Sequence, residues 1–75
     1  MTDEDYYKAV GANIKKIRLQ KGIKQIELAN SCEFDRQHLF KIENGELNLT
    51  LKTLRKLAEN LDVTVIDLLK FKSKK

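Results

Sequence analysis

The sequence predicts an all-α fold of five amphipathic helices. Three observations carry that expectation. The 75 residues contain no proline, so no position forbids an uninterrupted helix. No stretch alternates apolar and polar side chains for long enough to form a half-buried strand. Apolar residues recur instead at spacings of three and four, between recognisable caps and stops.

The first helix is expected from about Asp3 to Gln20. Thr2 and Asp5 have the spacing of a capping box, and the acidic start suits the helix dipole. Tyr7, Val10, Ile14 and Ile17 form its apolar stripe, and Lys21-Gly22 ends it. The second helix spans roughly Gln25 to Cys32. Its cap position is Lys24, which offers no acceptor oxygen to the free amides and costs about 1 kcal/mol against serine or threonine. A lysine there makes better sense facing a phosphate.

A third helix runs from Arg36 to about Glu43, with Asp35 as N-cap and Asn44-Gly45 as stop. The fourth follows its cap Thr50 to about Asn60, with Leu51, Leu54, Leu57, Ala58 and Leu61 as its stripe. The fifth follows Thr64, with Asp67 completing a capping box, and carries Val65, Ile66, Leu68 and Leu69. Residues 71–75 are expected to form a frayed basic tail. With no repeat and no linker, residues 1–75 are expected to form one domain.

The segment Gln25–Gly45 is the most informative. Ile26, Leu28, Ala29, Cys32, Phe34, Leu39 and Ile42 are spaced to pack one short helix on another across a tight turn. Arg36, Gln37, Phe40 and Lys41 are left on the outward face of the second of these helices. Arginine, lysine and glutamine are residue types that hydrogen-bond base edges in a DNA major groove.

Composition narrows the function. At this length folding buries about 60% of the unfolded chain's surface, so the core is marginal. One cysteine and one histidine leave neither an internal disulfide nor a conventional structural zinc site. No metal cluster, phosphate loop or nucleophile–base pair is recognisable, so no cofactor and no enzymatic activity are expected. No apolar run approaches the roughly 20 residues that span a bilayer. The acidic MTDEDYY start is unlike a secretory signal, and the expected location is cytoplasmic. Formal net charge is +4. Lysines and one arginine gather at Lys15, Lys16, Arg18, Lys21 and Lys24, and again at Lys70, Lys72, Lys74 and Lys75. A solvated surface explains most of them singly, but the clustering suits a polyanionic partner.

Taken together, Ile14, Ile17 and Arg18, then Gly22 and Gln25, Leu28-Ala29, Phe34-Asp35-Arg36, Ile42-Glu43-Asn44-Gly45 and Thr50-Leu51-x-Thr53-Leu54 resemble the lambda-repressor-like helix-turn-helix family of the Cro/cI or XRE type. The resemblance covers about Val10 to Leu69. The small size and the Asn48-Leu49-Thr50 segment are also similar to controller proteins of restriction-modification systems. The family implies five helices with the third in the major groove. It implies base contacts from Arg36, Gln37, Lys41 and Phe40. It implies phosphate contacts from Gln25, through side chain and amide, and from His38, Asn44 and Asn48; Lys24 joins them on its capping argument. Arg18 and Glu43 match a buried ion pair between the first and third helices; for Arg18 a phosphate contact is a second reading. Three departures stand out: Glu33 where the turn usually has glycine, Asp62 where the fourth helix usually ends in glycine, and Leu49 for a common proline.

Some side chains keep two readings. Phe40 either faces DNA or tucks against a neighbouring helix. Cys32 in its apolar position is expected to be an inert core thiol rather than a redox sensor. His38, lacking a nucleophile partner, is expected on the surface or at a phosphate. Ile66, Leu69 and Phe71 either cover the core or form a two-fold dimer interface, and the interface reading is favoured because two recognition helices can read a palindrome.

The expectation is therefore a sequence-specific transcriptional regulator binding double-stranded DNA as a homodimer. The alternatives are an antitoxin, which would bind a toxin protein as well as DNA but for which no wrapping segment is evident, and a protein-interaction module without a DNA role.

Overall fold

The computed structural model describes residues 2–71; of the expected tail, residues 72–75 lie outside the described residues. Among the described residues there are five helices and no strand: α1 (Asp3–Gln20), α2 (Gln25–Ser31), α3 (Arg36–Glu43), α4 (Leu51–Leu61) and α5 (Val65–Leu69). Helix α1 packs on α3 and α5, α2 on α3 and α4, and α4 on α5.

Local signals account for most of the helix ends. Thr2 Oγ1 accepts from the Asp5 amide at 3.1 Å and starts α1. Gly22, at φ +69°, ends it, with the Ile23 amide donating back to the Arg18 carbonyl. Thr50 caps α4 through the Thr53 amide. Thr64 and Asp67 form the full capping box of α5. The Thr64 amide and side chain hold the Asp67 carboxyl below its ordinary range. That box is therefore intact at neutral pH and is lost as pH falls through the lowered value.

Two caps differ from expectation. Lys24 makes no side-chain cap bond, but Glu27 reaches back to accept from the Lys24 amide at 2.8 Å. The signal was a glutamate three residues after the cap, and Lys24 at the cap obscured it. Asp35 has the extended backbone of an N-cap, yet its carboxylate makes no cap bond. What it offers α3 is its charge beside the positive end of the helix dipole.

The core comprises Val10, Ile14, Leu28, Ala29, Cys32, Leu39, Ile42, Leu54, Leu57, Ala58, Leu61 and Leu68. Each fully buried aliphatic side chain contributes about 1.5–3 kcal/mol. Two residues expected to pack in the core are instead exposed. Ile26 is 42% exposed and Leu51 is 71% exposed. Both lie in the first turn of a helix, where the stripe overhangs the end of the core. Phe71, expected to open the frayed tail, is instead half-buried, its ring edge-on to Tyr6 at 5.3 Å.

Cys32 is fully buried, its Sγ 3.8 Å from the Lys56 carbonyl oxygen. Burial pushes its thiol pKa up, against a smaller opposing pull from Lys56. Raising the pKa suppresses the reactive thiolate, which agrees with the core reading.

The turn between α2 and α3 takes the left-handed backbone at Glu33, φ 59°, as does Asp62 after α4, φ 58°. The Phe34 amide closes the turn onto the Ala29 carbonyl at 2.8 Å. A non-glycine residue there costs about 1–2 kcal/mol. The side chain recovers part of it: Glu33 Oε1 lies 3.5 Å from Lys56 Nζ, an exposed pair of small worth. Glu33→Gly is accordingly expected to raise stability by about 1 kcal/mol, read as a higher urea midpoint at unchanged slope. An unchanged or lower midpoint would show that the glutamate carries no net strain.

Candidate nucleic-acid interface

Helix α3 divides its residues cleanly. Leu39 and Ile42 are buried in the core, and Glu43 is buried beside α1. Arg36, Gln37, His38 and Lys41 are exposed, and Phe40 is 48% exposed. Phe40 thus faces outward and does not tuck under a neighbouring helix. One turn of polar and aromatic side chains projects from a helix whose opposite side is anchored.

The anchor is an ion pair. Arg18 Nε donates to Glu43 Oε2 at 2.7 Å and Nη2 to Oε1 at 3.1 Å, a bidentate fit between buried partners. Arg18 Nη1 donates to the Ile23 carbonyl at 2.9 Å. All three guanidinium nitrogens bond within the chain, and the residue is only 5% exposed. The structure therefore favours the structural reading of Arg18 over a phosphate contact.

Gln25 is half-buried. Its Nε2 donates to Glu43 Oε1 at 3.0 Å, and its Oε1 lies 3.5 Å from Arg36 Nε. Gln25, Arg36, Gln37 and Phe40 border one shallow hollow. Lys24, at the start of α2, is exposed. His38 is exposed on the opposite flank, its ring 4.9 Å from that of Phe34. Asn44 and Asn48 are exposed after α3, and Asn44 Nδ2 lies 3.4 Å from Glu46 Oε2.

Three structural supports come from contacts between segments distant in sequence. Gly11 lets α1 approach the end of α3: a Cβ there would stand 2.3 Å from the Ile42 carbonyl oxygen and 2.7 Å from that of Glu43. Gly45 has positive φ, +73°, and a Cβ there would stand 2.5 Å from Lys8 Cα. Asn13 Nδ2 donates to the Asp67 and Leu68 carbonyls at 3.0 and 2.8 Å, tying the end of α5 to α1. Only Gly45, beside Asn44, had a local signal.

On α5, Ile66 is 67% exposed and Leu69 is also exposed. Phe71 spends part of its surface on Tyr6. Among the described residues no group of histidine, cysteine and carboxylates is arranged to hold a metal ion, and no helix is long and apolar enough to cross a membrane.

A five-helix unit with a short helix pair, a pinned second helix and polar side chains projecting from it defines the helix-turn-helix class. Comparison with known proteins gives the family. The helix-turn-helix family model HTH_3 matches residues 14–68, and the chain belongs to that family of DNA-binding transcription regulators. It is similar to the uncharacterized HTH-type transcriptional regulator y4dJ of Sinorhizobium fredii, 38% identical over 64 residues, covering 85% of this chain and 83% of that one. It is similar to control protein C.MunI of Mycoplasma sp, 34% identical over 59 residues, covering 77% and 80%. Among solved structures it resembles the restriction-modification controller protein C.AhdI from Aeromonas hydrophila, with a TM-score of 0.78, 33% identity and coverage of 85% and 96%. The expected likeness to controller proteins is thus present in both sequence and fold.

Proposed function

We propose that residues 1–75 act as one DNA-binding domain, pairing as a homodimer to read a palindromic operator. The observation that carries this reading is the anchored, outward-facing side of α3. Arg36, Gln37, Phe40 and Lys41 are exposed there together while Glu43 is fixed from behind by Arg18. In this arrangement Arg36, Gln37 and Lys41 meet base edges, and Phe40 meets a thymine methyl. Lys24, Gln25, His38, Asn44 and Asn48 meet the sugar-phosphate strands and set register. A single recognition helix spans too few base pairs to be selective. Two copies, about 34 Å apart, read both halves of a palindrome from one face. Ile66 and Leu69, with the remaining surface of Phe71, form the apolar face that joins them.

Selection from random duplex DNA at physiological salt tests the reading, with enrichment of an inverted repeat as the expected result. No enriched sequence would sink it. Within the enriched site, Arg36→Ala is expected to lose about 1–3 kcal/mol of discrimination at one base position. Lys24→Ala should weaken all sequences alike and reduce the salt slope by about 1. Ile66→Glu places a charge in the proposed apolar interface. Sedimentation should show it shifted to monomer, with wild type a dimer at the same concentration; a wild type that remains monomeric on the operator would remove the dimer from the model of action.

A further inference from the structure

The turn after α3 has a fixed geometry and an unusual occupant. The Gly45 amide donates to the Ile42 carbonyl at 3.1 Å and the Glu46 amide to the Lys41 carbonyl at 2.9 Å. With Gly45 at φ +73°, this is a Schellman ending. The residue in the place of Glu46 is commonly apolar in that motif, packing back on the last turn of the helix. Glu46 is charged and exposed instead. It also puts a negative charge beside the negative end of the α3 dipole, which is mildly unfavourable. An apolar or neutral residue would serve the turn better, so stability does not account for this carboxylate.

Its contact points to another role. Asn44 Nδ2 lies 3.4 Å from Glu46 Oε2. A carboxylate only accepts hydrogen bonds, so the Asn44 amide turns its nitrogen to Glu46 and its oxygen away. Phosphate oxygens also only accept. The group that Asn44 has to offer a phosphate is therefore the group that Glu46 engages. The second N–H of the amide stays free, but a phosphate taking it stands beside the carboxylate, anion against anion. The contact is long and exposed to solvent, so it acts as an equilibrium competitor and not as a lock.

We infer that Glu46 is a brake on DNA binding: it competes with the phosphate strand for the Asn44 amide and lowers affinity for every duplex alike. Non-operator DNA is held by phosphate contacts, so the brake clears the chain from it, while base contacts overcome the brake at the operator. The inference rests on the phosphate role proposed above for Asn44 and adds the residue that opposes it. The test is a double-variant cycle on two probes, the duplex enriched by selection and a duplex of scrambled sequence, at about 50 mM salt. Glu46→Ala should tighten binding to both about 3–10-fold. Asn44→Ala alone should weaken binding less than about twofold, because the amide is already engaged. In the Glu46→Ala background the same change should weaken it about 3–10-fold. Glu46→Ala should melt in urea no lower than wild type, and a repeated selection with it should return the same base preferences.

Equal effects of Asn44→Ala in the two backgrounds overturn the inference, since Glu46 then acts by net charge alone. So does a Glu46→Ala chain that binds no more tightly than wild type, melts lower or prefers different bases. In each of these cases an enriched operator survives, and with it the broader reading. If selection enriches no sequence, the broader reading fails while the cycle on the scrambled duplex still decides this one.

Discussion

Arg18→Ala is expected to destabilise the chain by about 3–5 kcal/mol, because it strands a buried carboxylate. Glu43 is buried with both oxygens engaged, Oε2 by Arg18 Nε and Oε1 by Arg18 Nη2 and Gln25 Nε2. Without the guanidinium, one neutral amide is left to offset the charge. The Ile23 carbonyl also loses its donor. A domain of this length has a total stability of roughly 4–11 kcal/mol, so the loss is a large fraction of the whole. Urea melts would measure it. The informative companion is the double variant Arg18→Met, Glu43→Leu. Replacing both ions by apolar side chains removes the desolvation penalty together with the attraction. It should therefore recover most of the lost stability while still misplacing α3, leaving a folded protein with impaired operator binding. If the double variant melts as low as the single one, the pair is not a charge pair in need of its partner but a packing element.

The second large effect is expected at Gly45. It ends α3 at φ +73°, with the Glu46 amide donating to the Lys41 carbonyl at 2.9 Å and its own amide to Ile42 at 3.1 Å. A Cβ at this position would stand 2.5 Å from Lys8 Cα and 2.6 Å from Lys8 N. Those are backbone atoms in the middle of α1 and cannot rotate away. Gly45→Ala thus adds the left-handed backbone cost, about 1–2 kcal/mol, to an overpacking cost of about 1–3 kcal/mol. A loss of roughly 2–5 kcal/mol in thermal or urea melts is expected from the two together. Gly22 is the internal control: it also has positive φ, but nothing lies within 4 Å of its added Cβ. Gly22→Ala should lose only the backbone share. Equal losses at the two sites would mean that α1 yields freely to the clash.

These two sites show what could be seen in the sequence and what could not. The bounds of α1 and α3 were readable because their ends carry local chemistry: Thr2, Lys21-Gly22 and Asn44-Gly45 act within a few residues of themselves. Cys32 was readable as core because its neighbours in the helical period are apolar. The outward set Arg36, Gln37, Phe40 and Lys41 followed from the same period applied to α3. Ile26 and Leu51 misled because a period assigns a face but does not say where along the helix the core ends. Asp35 misled because residue type and backbone conformation permit a cap bond without compelling it. The Arg18–Glu43 pair came only through family resemblance, being separated by 25 residues. Gly11, Asn13 and the inward turn of the Gln25 amide depend on which atoms of a distant segment lie opposite, and no local pattern encodes that.

The Asn13 bonds to the last carbonyls of α5 carry one more consequence. They sit on the same helix as Arg18, so the end that would meet a second copy and the end that holds the reading helix belong to one stiff lever. In the proposed dimer, the gap between reading helices becomes a fixed ruler rather than an adjustable one. Adding a single base pair between half-sites shifts the far half by ~3.4 Å and turns it by ~35° around the duplex. A lever without a hinge cannot follow both changes, so such a protein would be strict about spacing even where it is lenient about individual bases.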